Sequence, residues 1–213
     1  MRGLPLVPGE RVQTVPFPIY NGTSSHYRDL FEIGGTTRPW PHLDDGLALL
    51  RSAWERLGSH GILPEWHERE ILYQATGNAN WQHGELYVVG CKVKATQYAR
   101  SNAGHGGELL TLCADALNRL AEVDAPSAED LRSRYPALQS LLAGGGKPLL
   151  VEFERVAADD LCAEIPGGGG PLILAEQLNQ LTEWHRAGMK ELMQIYAFRL
   201  AVGRGVVARI VEL

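Results

Sequence analysis

The sequence predicts an α+β fold with an enlarged, mostly helical part between residues 44 and 142 and short apolar strands before, within and after it. Two observations carry this. Leu47, Leu50, Trp54 and Leu57 recur at the spacing of one buried helical face. Residues 86–89 and 149–156 are instead apolar runs too short for a helix and bounded by glycine or proline. At 213 residues the chain fits one domain, 1–213, with a sizeable core, and no repeat or long linker divides it.

Residues 1–12 are rich in proline and glycine and read as an arm. Residues 14–20 suit a strand, confined to an edge or irregular position by Pro16 and Pro18. Asn21-Gly22 is a common turn dipeptide, so a turn there is one reading of the segment. Residues 21–43 form a long loop broken by Gly34-Gly35, Pro39 and Pro41, and His26, Tyr27, Trp40 and His42 favour an ordered one. Asp44 or Asp45 caps a helix that ends at Gly58. Pro64 opens a second helix, through about residue 76. A strand follows at 86–89, then helices at 92–101 and 107–122. Ser127 and Asp130 form a capping box for a helix closed by Gly144-Gly145-Gly146. Residues 149–156 are the clearest strand, and 167–170 a glycine hinge. The remainder is ambiguous between one long helix and a helix followed by strands. The preferred reading is a helix to about Gly188, then strands near 194–202 and 206–211 joined as a hairpin across Gly203-Arg204-Gly205.

Composition narrows the function. The net charge is −5 with no basic cluster, which argues against nucleic acid as a partner. No apolar run approaches the ~18 residues of a membrane span, so no membrane partner is expected. The three cysteines, Cys91, Cys113 and Cys162, are far apart and odd in number, which suits a reducing compartment. No Sec-type signal opens the chain, so the expected location is cytoplasmic, or a target cytosol reached by a non-Sec route. Seven histidines are scattered, and Trp66-His67-Glu68-Arg69-Glu70 lacks the second histidine of a zinc motif, so no metal is expected. Gly104-His105-Gly106-Gly107 follows a helix rather than a strand, which fails the context of a dinucleotide-fold phosphate loop. Cys113 sits among Leu109, Leu110 and Leu112 and reads as a buried, inert thiol.

Three segments in order remain: Pro18-Ile19-Tyr20-Asn21-Gly22-Thr23-Ser24, then Gly84-Glu85-Leu86-Tyr87-Val88-Val89, then Lys94-Ala95-Thr96-Gln97-Tyr98-Ala99. Together they resemble the NAD-binding core of ADP-ribosyltransferases of the diphtheria-toxin and PARP-like branch. That family carries His-Gly-Thr, Gly-x-Tyr, Ala-x-x-Tyr-Ala and a late glutamate. Asn21 stands here where the family has histidine. The resemblance implies a split antiparallel β-sheet of ADP-ribosyltransferase type, with an enlarged helical insertion. Two half-sheets would splay apart around NAD, which is a substrate. It implies transfer of ADP-ribose to a protein acceptor with release of nicotinamide, in the setting of a bacterial effector or toxin. Asn21 and Gly22 would meet the ribose next to adenine, and Thr23 would hold nicotinamide or shape the turn. Tyr87 would stack on nicotinamide, and Tyr98 would wall the same pocket. Arg28 or Arg38 would pair with pyrophosphate. Glu191, ahead of a late strand, would stabilise the oxocarbenium-like transition state, with Glu176 and Glu183 as alternatives. A degenerate relative that binds without turnover, or an unrelated α+β binding module, are the competing readings.

Overall fold

The computed structural model describes residues 14–65, 86–164 and 170–213. The helix expected over 64–76 and most of the hinge at 167–170 lie outside these. The strands are β1 (Ile19–Ser24), β2 (Leu86–Val89), β3 (Pro148–Glu154), β4 (Leu161–Ala163), β5 (Ala197–Leu200) and β6 (Val206–Glu212). The helices are α1 (Leu43–Ser59), α2 (Lys92–Asn102), α3 (Glu108–Val123), α4 (Ala125–Arg134), the single turn α5 (Gln139–Leu142) and α6 (Pro171–Arg186). The fold is α+β, with a six-stranded antiparallel sheet in the order β4-β5-β2-β1-β3-β6.

The pairing in this sheet is uneven. β1 pairs with β3 along its whole length, from Ile19↔Phe153 to Ser24↔Pro148. β2 likewise pairs fully with β5, from Leu86↔Leu200 to Val89↔Ala197. Among the described residues, the register between β1 and β2 holds a single pair, Tyr20↔Val89. The sheet is therefore two three-stranded halves, β4-β5-β2 and β1-β3-β6, joined at one end of a seam.

One face carries the main core. Ile19, Val88, Val151, Phe153, Phe198 and Leu200 pack with Leu49, Leu57, Leu117, Leu120 and Leu131 from α1, α3 and α4. Burial at ~25 cal/mol per Å² of apolar surface makes this the dominant stabilising contribution. A smaller cluster of Val89, Ala95 and Leu150 gathers where α2 packs, with Tyr20, Tyr87, Ala197 and Val211 around it.

Gly22 explains how α2 gets there. It lies inside β1, not in a turn, and a Cβ on it would stand 2.0 Å from the Ala95 carbonyl oxygen and 2.9 Å from the Ala99 nitrogen. The turn reading of Asn21-Gly22 therefore fails: glycine is required by a helix backbone pressed onto the strand, not by a positive φ. Ala95 and Ala99 are the small residues that let α2 descend, and Ser24 ties its end down by donating to the Ala103 carbonyl at 2.7 Å.

Other expectations shift. α1 begins at Leu43, and Asp44 and Asp45 sit in its first turn, suited to the helix dipole, while His42 occupies the cap position. α4 is capped by Asp124, which accepts from the Ser127 amide, so the cap lies three residues before Ser127. Pro136 ends that helix well before Gly144, because its ring cannot continue the ladder. The late helix and strands appear as expected, but β5 and β6 form no hairpin. Three strands separate them, and the segment 201–205 crosses from one half-sheet to the other. Gly205 sits against Val156, Leu200 and Phe153, so the halves curl together at that end.

Gly22→Ala is expected to cost about 3 kcal/mol or more, because neither contact is a movable side-chain tip. Gly104→Ala, where an added Cβ meets nothing within 4 Å, is the control. Chemical denaturation checks the pair, and equal midpoints would refute the close-approach argument.

Candidate functional site

The seam opens into a cleft. Past Tyr20↔Val89 the ladder between β1 and β2 stops, and the Asn21 side chain takes over: its Nδ2 donates to the Tyr87 carbonyl at 2.6 Å. That bond fixes the amide orientation and leaves Oδ1 facing elsewhere. Asn21 Oδ1 and Thr23 Oγ1 are both buried without a hydrogen-bond partner. The two residues are 4 % and 6 % exposed, and burying an unpaired acceptor costs about 1–3 kcal/mol. Both line a cavity of about 70 Å³ beside the seam, several times the space that seats one water.

Aromatic rings wall the cavity. Tyr87 from β2 and Tyr98 from α2 stack with centroids 5.7 Å apart and planes 23° apart. Tyr27 and Trp40, from the loop after β1, form a second pair at 4.2 Å. The 3₁₀ turn Ser25–Leu30 carries Tyr27 inward, and Gly106 with φ 93° presents no side chain to that ring, which a Cβ would meet at 2.7 Å. The first turn of α3 closes another side with Gly107, Glu108, Leu109 and Leu110, and no side chain caps this helix.

The ionisable groups form one electrostatic cluster. Burial, with Glu164 adding, pushes the Tyr87 phenol up to about 12. Tyr98 rises still further through burial, then through Glu108, Tyr87 and Glu164. Both rings are thus neutral hydrogen-bond donors at physiological pH. Glu164 follows β4 directly, and its amide donates to Ala197 on β5. Burial raises its carboxyl to about 7, against the lowering effect of Arg199 and Lys94, and its Oε2 is buried without a partner.

Asn21, Gly22, Thr23, Tyr87 and Tyr98 thus come together as the sequence order suggested. The charged candidates do not join them. Arg28 and Arg38 are exposed and outside the lining, since each follows a residue, Tyr27 or Thr37, that the local backbone turns inward. Glu191 is exposed at the start of the 3₁₀ turn Leu192–Gln194; the strand expected right after it begins only at Ala197. Glu176 and Glu183 lie on the exposed side of α6, along a shallow groove with Leu172 and Asn179. Trp40, His42, Asn102, Glu108 and Glu164 were not singled out as site residues. The aromatic and histidine content of the loop was the available signal for the first two.

Cys113 is buried, its thiol pushed up to about 12, and its Sγ approaches the Gly46 carbonyl at 3.3 Å, as an inert core thiol does. Cys91 and Cys162 are also free. Among the described residues no group of three His, Cys, Asp or Glu side chains is placed to hold a metal ion, and no helix is long and apolar enough to cross a membrane.

Glu164 predicts a pH dependence. Its folded pKa lies above the ordinary 4.5, so the folded state binds the extra proton and loses stability as pH rises from about 4.5 to about 7. Glu164→Gln is expected to melt higher than wild type at pH 8 and to match it near pH 4.5. Thermal melts at the two pH values check this; a constant difference would refute it.

No protein-family model, curated protein or solved structure matches the chain.

Proposed function

We propose that the chain transfers ADP-ribose from NAD to a protein acceptor and releases nicotinamide. The observation that carries the reading is the seam. An antiparallel sheet parts into two halves between β1 and β2, and the three segments that resemble the family meet there around one cavity. A cavity at such a seam supports the reading, because the resemblance implies NAD held between two half-sheets.

The chemistry of the lining supports the same ligand. Stacked Tyr87 and Tyr98 offer faces with negative quadrupoles, which attract a flat cationic ring such as nicotinamide in NAD. Asn21, with one N–H of its amide donated to Tyr87, keeps its Oδ1 as an unpartnered acceptor, which suits a ribose hydroxyl or an amide N–H. Thr23 Oγ1 accepts and donates beside it. The cavity takes a ring-sized group, so the rest of a dinucleotide lies across the mouth. An acidic chain with no basic cluster favours a protein acceptor over a nucleic acid.

In the reaction, the bond between ribose C1′ and nicotinamide N1 breaks with its electron pair going to N1. The acceptor's lone pair then bonds C1′, and its proton leaves to solvent. The tyrosines hold the leaving ring, and the apolar walls exclude water, a competing nucleophile.

Incubating the protein with labelled NAD in a cell lysate tests the reading. Wild type should label a protein band and release nicotinamide. Tyr87→Ala should abolish both while Tyr87→Phe keeps them, and Asn21→Ala should raise KM for NAD about tenfold. No label, no nicotinamide and no NAD binding by calorimetry would refute the reading and leave a protein-binding module.

A further inference from the structure

We infer that Glu108, at the first turn of α3, supplies the carboxylate that faces the nicotinamide ribose; this rests on the ADP-ribosyl-transfer reading above. Glu191 is exposed on a turn outside the cleft, and Glu176 and Glu183 border a different groove. Among the described residues lining the cleft, Glu108 is the acidic one.

Three features place it for the task. The backbone at Gly106 and Gly107, with φ 93° and 143°, swings the start of α3 to the cavity wall, a conformation that glycine adopts without strain. An α-helix of this length concentrates partial positive charge at its N-terminus, which favours an ionised carboxylate there. The same cavity is lined by Asn21 and Thr23, whose Oδ1 and Oγ1 are buried without a hydrogen-bond partner.

Glu164 is the rival carboxylate, and its surroundings separate the two. It does not line the cavity, and burial pushes its carboxyl up to about 7, away from the charged form, with Glu108 adding to the rise. As the C1′–N1 bond breaks with its pair going to nicotinamide, positive charge spreads over C1′ and the ring oxygen. The Glu108 carboxylate stabilises that charge without bonding to it, and the acceptor's lone pair then closes on C1′ as its proton leaves to solvent.

The test uses the full chain and two readouts. By calorimetry, wild type should bind NAD⁺ more tightly than NADH, whose reduced ring is neutral, and Glu108→Gln should narrow that preference while the tyrosine pair keeps part of it. In turnover, Glu108→Gln should lower kcat about a hundredfold with KM for NAD within a few-fold of wild type, and Glu108→Asp should recover part of it. Melting temperatures close to wild type, expected for an exposed side chain, exclude misfolding. Nicotinamide release by Glu108→Gln at the wild-type rate, or a loss confined to Glu191→Gln, overturns this assignment and leaves the transferase reading intact. No NAD binding and no release by wild type overturns both.

Discussion

The Ala95 carbonyl lies 2.0 Å from where a side chain on Gly22 would begin, and the cleft depends on that approach. Because β1 is bare at this point, α2 settles onto it, backbone against backbone, and brings Tyr98 beside Tyr87. The cost is local. A glycine within a strand loses more chain entropy on folding and packs no side chain. Full pairing with β3 and the Ser24 bond to the end of α2 offset it. Along its other edge, the described ladder from β1 to β2 holds one pair. One amide side chain then stands in for the missing backbone bond.

That substitution leaves the seam polar, buried and incompletely satisfied. A sheet joined only for stability would pair Asn21 Oδ1 and Thr23 Oγ1 or replace them by apolar residues, since each unpaired acceptor costs about 1–3 kcal/mol. Glu164 adds to the same strain by holding a carboxyl where burial opposes its charge. Such groups concentrate where a ligand completes them. The rest of the structure tolerates this because the main core lies on other residues: Phe153, Phe198, Leu117 and Leu120 are sealed among α1, α3 and α4.

Much of this was legible in the sequence. Leu47, Leu50, Trp54 and Leu57 marked α1 because helical periodicity is a local property, and the apolar runs marked β2 and β3 in the same way. Gly188, with φ 72°, closes the turn just after the last helix, as its residue type suggests. What escaped depends on distant partners. Asn21-Gly22 carries a turn signal, and only the arrival of α2 some seventy residues later makes it strand. Gly203-Arg204-Gly205 carries a hairpin signal, but β5 finds β2 and β6 finds β3, and pairing between strands is not written in the turn. At the cavity, Asn21, Tyr87 and Tyr98 come together from segments that the sequence orders. Glu108 carried no such signal, since a glutamate's sequence context does not say which cleft its helix end will line.

An electrostatic role constrains position more than sequence order. A carboxylate acting on developing charge must lie near that charge, in a medium that keeps it ionised, and must not reorganise during the step. A strand beside Tyr87 can meet those conditions, but here the paired positions on β5 are Arg199 and Ala197, and the nearest carboxyl, Glu164, is held towards its neutral form. A helix N-terminus meets the same conditions by another route, because its dipole supports the charge and its first turn is rigid. The two positive-φ glycines before α3, and Asn21 and Thr23 on β1, line the same cavity as that terminus. The transfer proposed above therefore asks of Glu108 what a strand carboxylate beside Tyr87 would otherwise supply, in a cavity that Asn21, Tyr87 and Tyr98 also line.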